Sequence, residues 1–134
     1  MSYNVLISAY ACSPYEGSEP GVGWNYISGL ASTNSLTVLV EKKFEKDIVS
    51  YLASTSNDNI RRVKFCYIKR VRLNMLRRIW PPSYYWTYRL WQFSAFKVAK
   101  KLAVQERFDI VHHLTMVGFR EPGYLWRLNI PFVW

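Results

Sequence analysis

Short β-branched runs alternate with segments of helical periodicity along this chain, and that alternation constrains its fold more than any other feature. Asn4 to Ala9, Leu36 to Val40, Val63 to Ile68 and Phe108 to His112 read as buried strands, and Pro131 to Trp134 as the opening of a fifth. Between them, Trp24, Ile27, Leu30 and Ala31 recur at helical spacing, Phe44 to Leu52 is amphipathic, and a long helix runs from about Tyr84 to Gln105. The polar stretch Ser54 to Asn59 reads as an exit loop and Arg120 to Leu128 as a short helix. Such alternation argues for an α/β fold with a parallel β-sheet sandwiched by helices. Right-handed crossovers bring every strand's C-terminal end to one edge, where open α/β sheets bind ligands.

A core is within reach, because half of the 134 residues are apolar and 17% are aromatic. One domain, residues 1–134, is expected. No apolar run approaches the ~20 residues of a spanning helix, and Val5 to Tyr10 is too short for a secretory signal. Cys12 and Cys66 have no metal-ligand spacing and cannot form a disulfide framework, so a reducing, cytoplasmic setting is expected. The chain stops in an apolar run, Ile130 to Trp134, which reads as a domain interrupted within its sheet.

Two segments meet the binding edge. The first is the loop Cys12 to Gly23, with Pro20 suited to a first helical position and Ser18 or Glu19 to the cap. Its glycines could open a helix N-terminus to a phosphate or simply pack the helix tightly, and the sequence leaves both open. A dinucleotide fingerprint starting at Gly21 and Gly23, with Glu41 near the acidic position, fails on two counts. Tyr26 occupies the third glycine position, and Gly21 follows the strand by about a dozen residues instead of standing in the turn. The P-loop lysine and hydroxyl residue are missing too.

The second segment ends in His112 and His113. Adjacent strand residues point to opposite faces, so at most one of them should reach a shared ligand if the strand runs through both. An imidazole here could donate to a substrate hydroxyl, or it could cap the strand on a backbone carbonyl. No third ligand cluster suggests a metal.

The formal charge of +9 is unevenly placed. Twelve of the 18 basic residues lie between Arg61 and Lys101, with no acidic residue in that stretch. Tyr84, Tyr88, Trp91, Ala95, Val98 and Leu102 form a stripe suited to the sheet, while Trp86, Leu90 and Phe93 fall on another flank. Arg70, Arg72, Arg77, Arg78, Trp80 and Trp86 together suit the interface of an anionic membrane. A solvated basic face ranks next. Nucleic acid ranks last, because no helix-turn-helix, RNP-like or zinc module is present.

The run Val5 to Pro14 followed by Glu16-Gly-Ser-Glu-Pro-Gly-Val-Gly-Trp-Asn25 resembles the amino-terminal signature of a bacterial subgroup of family 4 glycosyltransferases. Phe108 to His113 and Pro131 to Trp134 resemble later blocks of the same subgroup. The resemblance implies the Rossmann-like amino-terminal half of a two-domain GT-B enzyme. That half receives a sugar or lipid-linked acceptor and docks peripherally on the inner face of the cell membrane. It implies transfer with retention from a UDP- or GDP-type nucleotide-sugar, with no metal and no tightly bound cofactor.

By the same likeness, Gly21 and Gly23 lie beside the donor diphosphate, and His112 or His113 contacts acceptor or transferred sugar. Glu16 and Glu19 are candidates for acceptor contact or for helix capping. Many members end the strand His-x-His, whereas this chain has His112, His113 and then Leu114. A carboxy-terminal donor domain, with its pair of glutamates, is absent from these 134 residues, so negligible transferase activity is expected of this chain alone. The competing expectation is a non-catalytic α/β binding module whose basic face meets a protein, an anionic polymer or nucleic acid.

Overall fold

The computed structural model describes residues 1–71, 78–114 and 122–134. β1 (Asn4–Ala9) leads to α1 (Ser18–Leu30), β2 (Ser35–Glu41), a 3-10 turn (Lys42–Phe44), α2 (Glu45–Ser54) and α3 (Asp58–Arg61). β3 (Lys64–Ile68), α4 (Ser83–Gln105), β4 (Ile110–Leu114), a second 3-10 turn (Leu125–Leu128) and β5 (Phe132–Val133) follow. The strands form one sheet in the order β3-β2-β1-β4-β5, and every pairing is parallel. This is a Rossmann-like α/β architecture. β1 is central, pairing with β2 on one side and β4 on the other, so the strand order reverses direction between β1 and β4.

Strands buried on both faces read as nearly continuous apolar runs, and β1 and β2 do so because helices cover both faces. On one face Val5, Ile7, Val38 and Val40 pack with Trp24 and Ile27 of α1 and with Phe44 and Ile48. Trp24 stands edge-on to Tyr51 with ring centroids 4.9 Å apart. On the other face Leu6, Leu39, Ile68 and Val111 pack against Tyr88, Trp91, Ala95 and Ala99 of α4. The expected stripe of α4 does meet the sheet. Tyr10 sets its ring edge-to-face with both Tyr88 and Trp91, each at 4.9 Å. The Trp91 indole donates to the Ile68 carbonyl oxygen at 3.1 Å, so this ring is buried without stranding its N–H.

Several boundaries differ from the sequence reading, each for a local reason. α1 begins at Ser18 with Gly17 as its cap residue, ahead of Pro20, and neither Ser18 nor Glu19 caps it. The expected exit loop gives way at Asp58 to α3, capped where the Asn57 side chain accepts from the Asn59 N–H at 3.1 Å. β4 starts two residues after Phe108 and runs through both histidines, held by the pairings Ser8 with His113 and Ala9 with Leu114. Asp109, just before it, donates its N–H to the Asn4 carbonyl oxygen and accepts the Asn4 N–H on its carboxylate, each at 2.9 Å. The helix expected over Arg120 to Leu128 is only the 3-10 turn Leu125–Leu128, and its first positions fall outside the described residues.

Candidate functional site

The reversal between β1 and β4 opens a cleft of about 410 Å³ at the C-terminal ends of these strands. Ala9, Tyr10 and Ala11 form its floor, and Ser18, Glu19, Val22, Gly23 and Tyr26 line it from α1. His112, His113 and Leu114 close it from β4, with Trp134 at the rim. Open α/β sheets bind ligands in this crevice because two helix connections leave in opposite directions and part there.

Ser13 shapes the loop that delivers α1 to the cleft. Its buried hydroxyl donates to the Asp47 carboxylate at 2.8 Å and accepts from the Tyr15 and Glu16 N–H groups at 3.2 and 3.3 Å. The Ser13 N–H donates to the Pro20 carbonyl oxygen at 3.0 Å. One serine hydroxyl thus serves two backbone N–H groups of the turn and ties it to α2 through Asp47. Sequence reading missed Ser13 and Asp47, since nothing local signals a contact across 34 residues.

Gly21 and Gly23 sit inside α1, and both are required by close approach. A Cβ on Gly21 would stand 2.7 Å from the Glu16 carbonyl oxygen, and one on Gly23 would stand 2.5 Å from that of Ala11. The packing role of these glycines is therefore real. Gly23 also lines the cleft, whereas Gly21 does not. Gly17 offers no side chain to the first turn of α1, so no side-chain cap competes for its N–H groups or for the positive end of the helix dipole. Ser18 holds a positive φ of 56° at this junction. Glu19 lines the cleft, while Glu16 is exposed outside it.

The strand does run through both histidines, and they face opposite ways. His112 shares the α1 side with Ile110 and Leu114, and its Nδ1 lies 2.8 Å from the Tyr26 hydroxyl. The two rings stand nearly perpendicular, at 88°. Burial lowers the His112 pKa and raises that of Tyr26, so both are neutral near pH 7. His113 turns toward α4 and is 2% exposed. Gly123, at φ 63°, leaves no room for a Cβ between His113 and the Gln92 amide. Neither ring nitrogen of His113 has a hydrogen-bond partner among the described residues. Burial, reinforced by neighbouring His112, pushes its pKa down to about 4. Both histidines nonetheless line the cleft, because it lies over the end of the strand and reaches both faces.

Beside the cleft, the strand ends assemble a group that sequence reading did not foresee. Arg70 donates from Nη1 to the Tyr10 hydroxyl at 2.7 Å and holds its Nε 3.9 Å from Glu41 Oε1. Its guanidinium lies 5.9 Å from the centroid of the Tyr84 ring. Burial and the Glu41 charge push the Tyr10 phenol well above its usual range. Arg70, expected on the membrane-facing surface, instead has a side chain only 19% exposed and turned into the sheet edge. A buried carboxylate on β2 attracts the guanidinium inward.

Arg78, Trp80 and Trp86 are exposed as expected, and Arg72 and Arg77 lie outside the described residues. Trp86, Leu90 and Phe93 do fall on the outer flank of α4, and Lys97 Nζ sits 4.7 Å from the Phe93 ring centroid. Among the described residues no group of three or more metal-ligating side chains occurs, and no helix is long and apolar enough to cross a membrane. Cys12 and Cys66 are free thiols, and burial pushes Cys12 up to about 12, which removes its thiolate chemistry. No protein-family model matches the chain, and no curated protein matches it significantly.

Proposed function

We propose that this domain is the acceptor-side half of a glycosyltransferase that moves a sugar from a nucleotide-sugar to a membrane-associated or polysaccharide acceptor. The observation that carries the reading is the meeting, in one cleft, of the first turns of α1, which no side chain caps, with His112. The helix start suits a phosphate, and a neutral imidazole suits a sugar hydroxyl. In such a transfer the acceptor hydroxyl oxygen bonds to the anomeric carbon as the bond from that carbon to the diphosphate breaks. The hydroxyl proton ends on the departing diphosphate.

Stabilising that leaving group needs positive charge. Among the described residues no lysine or arginine lines the cleft, and the ionisable side chains that do are Glu19, Tyr10, Tyr26 and two neutral histidines. On this reading a second, donor-binding domain facing this one supplies the cations. The basic and aromatic exterior of α4, with Arg78 and Trp80, supports peripheral attachment to an anionic membrane on the cytoplasmic side.

A titration of the isotopically labelled chain with UDP-glucose or GDP-mannose, followed by NMR, tests this. Shifts confined to α1's first turns and His112 are expected, with no release of nucleotide in a radiolabelled transfer assay. Turnover by this chain alone would overturn the division of labour, and absence of binding by any nucleotide-sugar or acceptor sugar would remove the transferase reading. The exposed stripe of α4 also supports a second reading, a non-catalytic module binding an anionic polymer. Salt-sensitive binding to heparin with an unperturbed cleft would favour it.

A further inference from the structure

We infer that Tyr26 is a positioning residue that fixes His112 as a neutral Nε2–H donor, making this side of the cleft a recognition point for an uncharged sugar oxygen. The inference rests on the proposed sugar-binding role of the cleft, but its first test does not. Of the groups at the 2.8 Å contact, a phenol is the better proton donor and an imidazole nitrogen the better acceptor. The hydroxyl therefore donates to Nδ1, and the single proton of the neutral ring resides on Nε2. A ring held this way offers a donor and no charge. It complements a hydroxyl or ring oxygen better than it complements a carboxylate or phosphate, which reward a cation.

Helix and strand are both needed for this arrangement. Tyr26 is on α1 and His112 is 86 residues later on β4, and the perpendicular rings leave the imidazole edge, not its face, against the hydroxyl. Tyr26 occupies the place where a dinucleotide site requires its third glycine, so the phenol that rules out that ligand is the group that orients the histidine. Among the described residues, the other titratable side chains lining the cleft are Glu19 on α1, Tyr10 beyond β1 and His113 on β4. None of the three holds Nδ1, which leaves its proton occupancy to Tyr26.

Histidine side-chain ¹⁵N NMR on the whole chain, with His112 assigned through His112→Gln, reads the tautomer directly. Unprotonated Nδ1 and protonated Nε2 are expected in the unmodified chain, and a protonated Nδ1 would overturn the inference without recourse to any variant. Tyr26→Phe should mix the tautomers and move the His112 pKa upward, because the lost bond is made by the neutral ring. An unchanged tautomer in a folded Tyr26→Phe chain also overturns it. Glucose and inorganic phosphate then serve as probes: glucose should perturb His112 Nε2 and phosphate should not. The expected tautomer with a glucose-silent His112 upholds the positioning role while rejecting the sugar reading. Phosphate perturbing Nε2 in place of glucose rejects the specificity assigned here.

Discussion

Gly23 and Ala11 approach so closely that a methyl group on Gly23 would stand 2.5 Å from the Ala11 carbonyl oxygen. The contact is backbone against backbone, so no flexible side chain can yield. It locks the start of α1 onto the chain leaving β1 and sets the width of the cleft.

Gly23→Ala should therefore destabilise the domain by about 1–3 kcal/mol, the usual cost of forcing atoms into a packed interior. Gly29, on the same helix, has nothing within 4 Å of a would-be Cβ. Gly29→Ala should stabilise by about 0.4–1 kcal/mol, through the narrower unfolded ensemble and better helix propensity. Urea denaturation of the two variants should give shifts of opposite sign.

His113 makes stability depend on pH. Its folded pKa, about 4, lies below the ordinary imidazole value of 6.5, so the unfolded chain binds the extra proton first. The stabilisation is fully present above about pH 6.5 and is lost as pH falls from there towards 4, on the order of 3 kcal/mol in all. His113→Gln, which cannot titrate, should flatten that part of the profile in thermal melts across the range. A slope as steep as the unmodified chain's would assign the effect elsewhere.

Arg70→Met should be costly because it leaves the Glu41 carboxylate, 3% exposed, without its cation. A loss of about 3 kcal/mol is expected in chemical denaturation. The double variant Glu41→Gln with Arg70→Met should recover much of it, since no buried charge remains. Additive losses would show that the two side chains act separately.

Replacing the exposed Trp86 with Ala and Arg78 with Glu should weaken binding to vesicles containing phosphatidylserine, and added salt should weaken binding of the unmodified chain. Thermal stability should change little, because neither side chain is in the core. Equal binding to neutral vesicles would remove the electrostatic part of the membrane reading.

Much of the fold was legible because it is written in periodicity. The buried runs Asn4 to Ala9 and Leu36 to Val40 needed only short, nearly continuous apolar stretches, and the stripe through Tyr88, Trp91 and Ala95 only a period of 3.6. The end of β4 was not legible. A strand extends as far as its partner offers pairing groups, and Ser8 and Ala9 carried it past His112 to Leu114. The inward turn of Arg70 was equally hidden, because among many basic residues its sequence neighbours say nothing of a carboxylate on β2.

By itself the sequence determined the class of fold, the sheet edge at which the strands end, and the two segments that reach that edge. Local propensity and burial patterning suffice for that, since each element records which of its faces is dry. Tertiary structure alone decided what stands beside what: Tyr26 on His112, Ser13 on Asp47, Arg70 between Tyr10 and Glu41. These contacts join residues 86, 34 and 60 positions apart for the three hydrogen bonds. Their geometry follows from strand order and register, which local patterns leave undetermined, and the chemistry of the cleft depends on that geometry.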